Sequence, residues 1–363
     1  MTQQSTSSGI DMDKAMEFMV HVFGHLQGAV VSALISLGDS LGIYKAMQDA
    51  GPLSADELAE RTGLHPRWLL EWLRNQGAAG ILEYRGDDRF ELTAEQAAVL
   101  ADEENSILFS AGGFQGLPML SSLIGPLQES FKTGIGLPYD AQGRDGNHGV
   151  ARMFAPWFRH MLVPAILPGL DGVVAKLQAG AKVADVGCGA GIALITMGKA
   201  FPKSEFHGYE LSKHALELAA ANLAESGLQN VTFHDVRGEQ LPDDGSFDFI
   251  TTFDCIHDMT HPTEVIGAIR RAIKDDGTYL IADIKGYPSY EENLEENPMV
   301  AMMYGFSVLS CMSSALSEPD GEGLGTLGFH EVVAREITQK AGFTRFTAHD
   351  FGNPLNSYYE VRP

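Results

Sequence analysis

The pattern of hydrophobic and polar positions divides the chain into a helical first part and a second part in which strands alternate with helices. Residues 15–47 are apolar with scattered His, Gly and Ser, and this pattern predicts two helices broken near Gly38. The first helix lacks the polar face of a solvated helix, so we expect it to pack against a partner surface. Residues 104–132 and 152–179 also predict helices, and a loop rich in Gly, Asp and Asn connects them at 134–148.

A helix–turn–helix unit followed by a hairpin is predicted between residues 54 and 92. Ser54 and Glu57 have the spacing of a capping box and start a helix that ends near Gly63. A second helix is predicted at 66–76, and residues 81–92 are typical of two short strands around a polar turn. This order of elements predicts a winged helix.

The second part begins with a strand, a glycine-rich loop and a helix. The apolar residues 182–186 predict the strand, and the helix follows at 192–200. Three further strands are predicted at 204–209, 230–234 and 247–252. The carboxyl ends of the four strands carry acids, namely Asp185, Glu210, Asp235 and Asp254. In open α/β sheets such strand ends together form a ligand-binding crevice.

The spacing of the loop glycines separates two classes of ligand. Gly187, Gly189 and Gly191 form a G-x-G-x-G pattern, one residue tighter than the dinucleotide pattern G-x-G-x-x-G. Glycine lets the backbone adopt a positive φ and approach a ligand, and the helix behind the loop offers free N–H groups. The sequence D-x-G-C-G-x-G at 185–191 resembles motif I of class I S-adenosylmethionine (SAM) methyltransferases.

This resemblance implies SAM as cofactor and S-adenosylhomocysteine as product. An acid at the end of the second strand of Rossmann-like folds binds ribose hydroxyls, which favours Glu210 for that role. The resemblance places Asp235 at the adenine amino group. The predicted cofactor-binding residues are Asp185, Gly187, Gly189, Gly191, Glu210, Leu211, Asp235, Val236, Phe253 and Asp254.

The composition favours a globular enzyme over a nucleic-acid-binding or membrane protein. The formal net charge of -23 argues against phosphate binding, which needs clustered Lys and Arg. The three cysteines fit neither a disulfide framework nor a metal site, so no metal is expected. We find no apolar run long enough for a membrane span and no signal peptide, which predicts a cytoplasmic protein.

The order of the predicted domains resembles that of small-molecule O-methyltransferases from plants and actinobacteria, and especially the mycobacterial-type bacterial subgroup. Residues 253–259, 276–278, 304–317 and 353–356 carry the resemblance together with the glycine loop. It implies an α/β fold, with a Rossmann-like class I methyltransferase core and an N-terminal α-helical winged-helix dimerisation domain. The expected division is a winged-helix dimerisation domain at 1–110, a helical linker and substrate cap at 111–175, and the methyltransferase domain at 176–363.

The same resemblance identifies His257 and Asp258 as catalytic candidates, because a His-Asp pair follows the fourth strand in that family. A His near neutral pKa can take the proton that a hydroxyl acceptor loses. Residues adjacent in a helix do not face each other, so the acid that orients His257 is left open. Plant enzymes place a glutamate near the position where this chain has Phe329, His330 and Glu331.

The acceptor is less well defined by the sequence than the cofactor. One hypothesis is a hydroxyl, and the alternative is a thiol or thioether acid such as 4-methylthio-2-hydroxybutyrate, the substrate of similar enzymes in dimethylsulfoniopropionate synthesis. A carboxylated acceptor needs a cation, which Arg152 or Arg159 could provide. The candidate substrate residues are Tyr139, Arg152, Arg159, His160, Tyr304 and His330, and core or interface packing remains open for each.

The winged helix leaves a second class of function open, a DNA-binding regulator. However, Arg67 and Arg74 on the second helix are offset by Glu71 rather than forming a basic face. Trp68 and Trp72 share a helical face, and core packing is the favoured interpretation of that pair. We therefore expect a homodimer that binds a small molecule, with neither nucleic acid nor membrane as a partner.

Overall fold

The chain consists of two compact units in a computed structural model that describes residues 9–363. The first unit extends to Leu117, and the second runs from Pro118 to Pro363. The expected three-part division at 1–110, 111–175 and 176–363 stays a prediction.

The first unit contains a winged helix behind a long N-terminal helix. Its elements are α1 (Met12–Ser40), α2 (Ile43–Met47), α3 (Ala55–Thr62), α4 (Pro66–Ala78), β1 (Glu83–Tyr84), β2 (Phe90–Glu91), α5 (Ala94–Leu100) and a 3₁₀ helix at Ala111–Gly116. Ser54 and Glu57 form the predicted capping box at the start of α3. β1 and β2 pair antiparallel with Tyr84 opposite Phe90, so the predicted hairpin is confirmed.

The helix break predicted near Gly38 is wrong by a few residues. α1 continues through Gly38 to Ser40, and the chain turns at Gly42, where φ is 68°. A Cβ at Gly38 would lie 2.9 Å from the Tyr44 ring and would also collide with Trp72. The glycine therefore marks a close contact between helices rather than a helix end.

The two tryptophans of α4 have different environments. Trp72 is 5% exposed, packs against Tyr44 with ring centroids 5.2 Å apart, and donates its Nε1–H to the Leu34 carbonyl at 2.9 Å. Trp68 is 80% exposed. The interpretation as core packing is thus correct for Trp72 and wrong for Trp68, because Trp68 is not on the face of α4 that packs against α1 and α3.

The first half of α1 is apolar and exposed. The side chains of Phe18, Val22, Phe23, Leu26 and Val30 are 48–67% exposed. α1 is long and apolar enough to cross a membrane. Core helices of soluble proteins and signal sequences meet the same criteria of length and composition. The prediction that no apolar run reaches this length is wrong. His, Gly and Ser occur within the segment, but they lower its mean hydropathy less than charged residues would.

The second unit begins with helices that lead into an α/β core. Its helices are α6 (Leu117–Thr133), α7 (Gly143–Trp157), α8 (Leu167–Gly169), α9 (Val173–Ala179), α10 (Ile192–Ala200), α11 (Lys213–Ser226), α12 (Pro262–Ala272), α13 (Tyr290–Glu296), α14 (Val300–Phe306), α15 (Met312–Ala315) and α16 (Glu331–Lys340). Short 3₁₀ helices lie at Tyr139–Gln142 and Ile256–Asp258, and π-helical segments lie at Phe158–Ile166 and Ser307–Cys311.

The loop predicted at 134–148 is partly wrong, because α7 begins within it at Gly143. Gly143 has a φ of 64°, which lets the chain turn from the preceding 3₁₀ helix into α7. The polar residues that suggested a loop instead fill the first turns of this helix. Asn147 is buried there and donates to the Gly143 carbonyl at 2.8 Å.

The core of the second unit is a seven-stranded sheet in the order β5-β4-β3-β6-β7-β9-β8. Its strands are β3 (Lys182–Val186), β4 (Glu205–Glu210), β5 (Val231–Asp235), β6 (Phe247–Phe253), β7 (Ile273–Ile284), β8 (Arg345–His349) and β9 (Asn356–Arg362). The strands β3 to β7 are parallel, and β9 is antiparallel to both of its neighbours.

The strand order reverses at β3, which lies between β4 and β6. Apolar clusters cover both faces of the sheet: one includes Leu194 and Met197 of α10, the other Ile266 and Ile269 of α12. Such a reversal opens a crevice at the carboxyl ends of the strands, where ligands of this fold class bind.

Candidate active site

A cavity of about 690 Å³ opens at the carboxyl ends of β3, β4, β5 and β6, within the size range of small-molecule sites. The opposite wall comes from the 3₁₀ helix at Tyr139–Gln142, from α7 and from the π-helical segment that follows. The predicted residues that line the cavity are Tyr139, Asp185, Gly187, Gly189, Glu210, Leu211, Val236, Phe253, Asp254 and Asp258.

The glycine loop turns its backbone towards this cavity. Gly187, Gly189 and Gly191 have φ values of 74°, 54° and 73°, a region that favours glycine. A Cβ at Gly187 would lie 2.7 Å from the Cys255 Sγ atom, whereas a Cβ at Gly189 would meet open space. Since α10 begins at Ile192, directly behind the loop, its free N–H groups add to the polar surface.

Glu210 is fixed by the backbone around it. Its Oε2 atom accepts from the Gly189 N–H at 2.8 Å, and Oε1 accepts from Leu211 and Ser212, each at 2.8 Å. Burial raises the pKa of Glu210, and these N–H donors oppose that rise. These three bonds leave about one acceptor site of the carboxylate, on Oε2, to which a hydroxyl of a ligand in the cavity could donate.

Asp185 lies deeper at the end of β3. The Thr251 hydroxyl of the neighbouring strand donates to its Oδ1 atom at 2.7 Å, and burial raises the pKa of Asp185 to about 7. Gly191 does not belong to the cavity lining. A Cβ there would instead collide with the Phe233 ring, so this glycine serves packing.

Asp235, the predicted adenine contact, faces another partner. Arg237 donates to it through Nε at 2.8 Å and Nη2 at 2.7 Å, and this pairing lowers the pKa of Asp235. Asp235 is outside the cavity lining, while the next residue, Val236, belongs to it with Leu241. The structure thus offers an apolar surface rather than a free acid at this strand end.

His257 is held by an acid that the sequence analysis did not identify. Its Nδ1 atom lies 2.5 Å from Oδ1 of Asp283, the residue near the end of β7. The Ile256 and Ile284 N–H groups donate to the same carboxylate at 3.2 and 2.7 Å and hold it in place. Asp258 therefore does not orient His257, although it lines the cavity.

The pKa of His257 reflects opposing effects. Burial alone would lower it, but the Asp283 carboxylate and a contact with Cys311 outweigh burial and raise it well above the usual value. His257 is 3% exposed and lies just behind the cavity lining, next to the π-helical segment that ends at Cys311. Such segments are rare and often occur at functional sites.

Asp254 adds another acid beside this pair. It adopts an unusual φ of 48°, and the Asn356 amide donates to its Oδ1 atom. Burial and the nearby Asp283 raise the pKa of Asp254 to about 8. Asn356 begins β9, so the last strand of the sheet supports the residues that follow β6.

The remaining candidate substrate residues lie outside the lining, apart from Tyr139. Arg152, Arg159, His160, Tyr304 and His330 do not contribute to the cavity wall. The helix face that does contribute consists of Asn147, Val150, Ala151, Phe154 and Phe158. These follow the three- and four-residue spacing of one helical face, from which Arg152 and Arg159 are displaced.

Sequence reasoning missed two kinds of residue. Asp283 and Asn356 were missed because they lie on later strands than the four that were examined, although Asp283 obeys the same rule of an acid at a strand end. The aromatic lining residues Phe154 and Phe158 were not among the predicted site residues, although both lie between or beside Arg152 and Arg159 in the sequence.

The crevice fits SAM on three counts of its own geometry. The open space at Gly189 leaves room for a ligand next to the backbone of the loop. The Glu210 carboxylate can accept a hydrogen bond from a ligand, and the apolar Leu211 and Val236 can enclose a flat base. These residues would hold the methionine, ribose and adenine portions of SAM, respectively.

Comparisons with known proteins agree with this geometry. Residues 177–320 match the family described as a methyltransferase domain, and residues 29–102 match the Rv2258c-like winged helix-turn-helix domain. The ubiquinone biosynthesis O-methyltransferase of Dechloromonas aromatica is 30% identical over 131 residues, which are 36% of this chain and 54% of that protein. The one from Methylococcus capsulatus is 33% identical over 108 residues, or 29% and 44% of the two chains. The chain thus spans about half the length of these relatives.

Solved structures share the fold over almost the whole chain. An O-methyltransferase-like protein of Nostoc punctiforme superposes with a TM-score of 0.72 at 15% identity, covering 95% of this chain and 98% of that one. Human N-acetylserotonin methyltransferase in complex with SAM gives 0.66 at 14% identity, covering 98% and 99%. At these identities the likeness establishes the fold.

The chain therefore combines a winged helix-turn-helix domain with a methyltransferase domain. The predicted Rossmann-like core and winged helix are confirmed, and so is the predicted class of enzyme at the level of the methyltransferase domain.

Proposed function

We propose that the protein transfers a methyl group from SAM to a hydroxyl of a small molecule, with His257 as general base. When bound, SAM supplies an activated methyl group on a sulfonium, so the transfer needs mainly positioning. The observation that carries the proposal is the buried pair of His257 and Asp283 beside the crevice. An acceptor that loses no proton would give this pair no chemical task.

The proposed roles of His257 and Asp283 follow from the ring nitrogen of His257 that Asp283 contacts. Because Asp283 engages Nδ1 of His257, we assign the proton transfer to the other ring nitrogen, Nε2. The acceptor oxygen gains the methyl group as the sulfur–methyl bond breaks, and its proton passes to Nε2. Asp283 then stabilises the imidazolium that results.

A thioether acid is the alternative acceptor, and it receives less support from the lining. Its carboxylate would need a cation, but Arg152 and Arg159 are absent from the cavity wall. The two basic residues of that wall, His261 and Arg271, already contact Glu318 and Asp243, respectively. The aromatic rings of Phe154, Phe158 and Phe253 line the cavity and suit a planar acceptor better.

A screen of phenols, thiols and methylthio acids with tritiated SAM tests the proposed function. Label is expected in phenols and in no methylthio acid. Labelling of methylthio acids alone would replace the hydroxyl acceptor by sulfur, and the absence of label in every class would contradict the activity itself.

We also propose that α1 pairs with its copy in a homodimer, because its exposed apolar surface has no cover within the first unit. Light scattering at micromolar concentration is expected to give twice the monomer mass, and Leu26→Glu is expected to reduce it to the monomer. A monomeric wild type, or flotation of the wild type with lipid vesicles, would contradict this pairing. Location in the cytoplasm stays a prediction.

The winged helix is not proposed to bind DNA, since both arginines of α4 are engaged by acids. Arg67 pairs with Glu71 at 2.7 Å, and Arg74 pairs with Asp88 at 2.9 Å. An electrophoretic shift with genomic DNA at physiological salt would revive the regulator hypothesis.

A further inference from the structure

The Glu210 carboxylate has too few acceptor sites for a whole ribose. Three backbone N–H groups already donate to it, and about one acceptor site is left, on Oε2. The ribose of SAM carries two neighbouring hydroxyls, and each of them needs a hydrogen-bond partner when it leaves water. One hydroxyl can donate to Glu210, so the other needs a second polar group in the cavity wall.

Asn147 of α7 is a buried polar residue of this wall close to Glu210. It lines the cavity and is 5% exposed. α7 packs against α11, the helix that follows β4. Oδ1 of Asn147 lies 3.5 Å from the hydroxyl oxygen of Ser212, and the Ser212 N–H donates to Oε1 of Glu210 at 2.8 Å. A single residue, Ser212, therefore contacts both side chains.

The contacts of Asn147 leave its amide oxygen able to accept a ligand. Nδ2 donates to the Gly143 carbonyl at 2.8 Å, and this contact identifies the nitrogen, because an oxygen there would face another oxygen. The contact of Oδ1 with Ser212 is long, and an amide oxygen has two lone pairs. Oδ1 therefore keeps at least one acceptor site.

Other polar residues of the wall are less suited to a second hydroxyl at this end. Asp185 already accepts from the Thr251 hydroxyl at 2.7 Å. Gln240 is exposed, so that water can reach its amide in the absence of a ligand. Ser314 belongs to α15, which packs against the short 3₁₀ helix after β6, at the acceptor end. Tyr139 lines the cavity as well and is compared with Asn147 in the test below.

We propose that Asn147 is a further cofactor-binding residue, which accepts a hydrogen bond from one ribose hydroxyl of SAM while Glu210 accepts one from the other. This inference rests on the part of the proposed function that places SAM at Glu210, and it does not depend on the acceptor. Two separate elements, the end of β4 and α7, then hold the ribose. α7 thereby binds the cofactor through Asn147 and lines the rest of the cavity through its aromatic residues.

Calorimetry with S-adenosylhomocysteine and with its 2′-deoxy and 3′-deoxy analogues tests the proposal on the full-length protein. In the wild type, each analogue is expected to bind roughly 5- to 20-fold more weakly than S-adenosylhomocysteine, the loss from one buried hydrogen bond. Asn147→Ala is expected to weaken S-adenosylhomocysteine by a similar factor. It is expected to bind one of the two analogues within about twofold of the wild-type affinity, because that interaction is already absent. The loss should persist for the other analogue.

Two variants serve as controls. Asn293→Ala also removes a buried amide, one that donates to the Tyr287 and Ser289 carbonyls outside the cavity lining, and it is expected to leave the affinity for all three ligands unchanged. Tyr139→Phe removes a different hydroxyl from the wall and is expected to keep the ratio between S-adenosylhomocysteine and each analogue.

Three outcomes would overturn the proposal. One is a wild type that binds either deoxy analogue as tightly as S-adenosylhomocysteine. Another is an effect of Asn147→Ala that is the same for all three ligands, as a purely structural role would give. The third is a loss of discrimination in Tyr139→Phe with discrimination retained in Asn147→Ala. A wild type that does not bind S-adenosylhomocysteine contradicts the proposed function instead.

Discussion

The cofactor end and the acceptor end of the cavity are built in different ways. At the cofactor end, backbone N–H groups hold Glu210, and glycines at 187 and 189 shape the surface. At the acceptor end, side chains from separate elements meet: His257 follows β6, Asp283 lies near the end of β7, and Cys311 ends a π-helical segment. Backbone polar groups are the same in every sequence, so the first end suits an invariant ligand and the second can vary with the acceptor.

The largest effect is expected at the acceptor end. His257→Ala should lower the rate with a hydroxyl acceptor by roughly 10²–10⁴, the usual contribution of a general base. Single-turnover label transfer measures this loss, and His349→Ala is the matched control at a histidine outside the cavity lining that contacts Glu360. Equal rates for His257→Ala and wild type would remove the base from the mechanism.

A smaller loss is expected for the residue that acts through His257. Asp283→Asn should reduce the rate by about 10², because an amide does not stabilise an imidazolium as a carboxylate does. Since Asp283 raises the pKa of His257, the ascending limb of the pH–rate profile should also move to lower pH. If the rate falls but the ascending limb of the pH–rate profile stays at the same pH, Asp283 has only a structural role.

The cofactor end should respond in binding rather than in the chemical step. Glu210→Ala should weaken SAM and S-adenosylhomocysteine by about 1–3 kcal/mol, the cost of losing hydrogen bonds to a charged group. Calorimetry checks this value. Unchanged affinity, or preferential binding of NAD by the wild type, would show that the crevice does not take a nucleoside at Glu210.

The smallest effect is expected at Asp235. Because Arg237 already engages both of its oxygens at the surface, Asp235→Asn should change S-adenosylhomocysteine affinity by less than about 1 kcal/mol. A calorimetric loss as large as that of Glu210→Ala would mean that Arg237 releases Asp235 when the cofactor binds.

The sequence predicted the backbone geometry at the proposed cofactor end because that geometry is local. The strand, loop and helix at 182–200 are contiguous, so residue spacing determined their geometry, and Glu210 could be placed by the strand rule alone. The acceptor end depends on which face of α7 turns inwards and on pairing between distant strands. The identities of Arg152 and Arg159 do not show which helix face turns inwards, and the identity of Asp283 does not show which strand its own strand pairs with.

In the first unit, too, the sequence did not predict which residues tertiary packing would cover. Gly38 was interpreted as a helix break, but it lies within α1 and allows the close approach of Trp72. Trp68 and Trp72 look equivalent in sequence, yet only Trp72 is covered. Tertiary contacts, rather than local propensity, decide both cases.

The pH–rate profile of methyl transfer tests the central claim most directly, using the phenol that accepts most label. A general base must be neutral to take a proton, and the pKa of His257 is raised, so the wild-type rate should increase with pH through a limb above 6.5. His257→Ala should lose that limb together with most of the rate. A wild-type profile that stays flat from pH 6 to 9, at a rate that His257→Ala retains, would contradict the account.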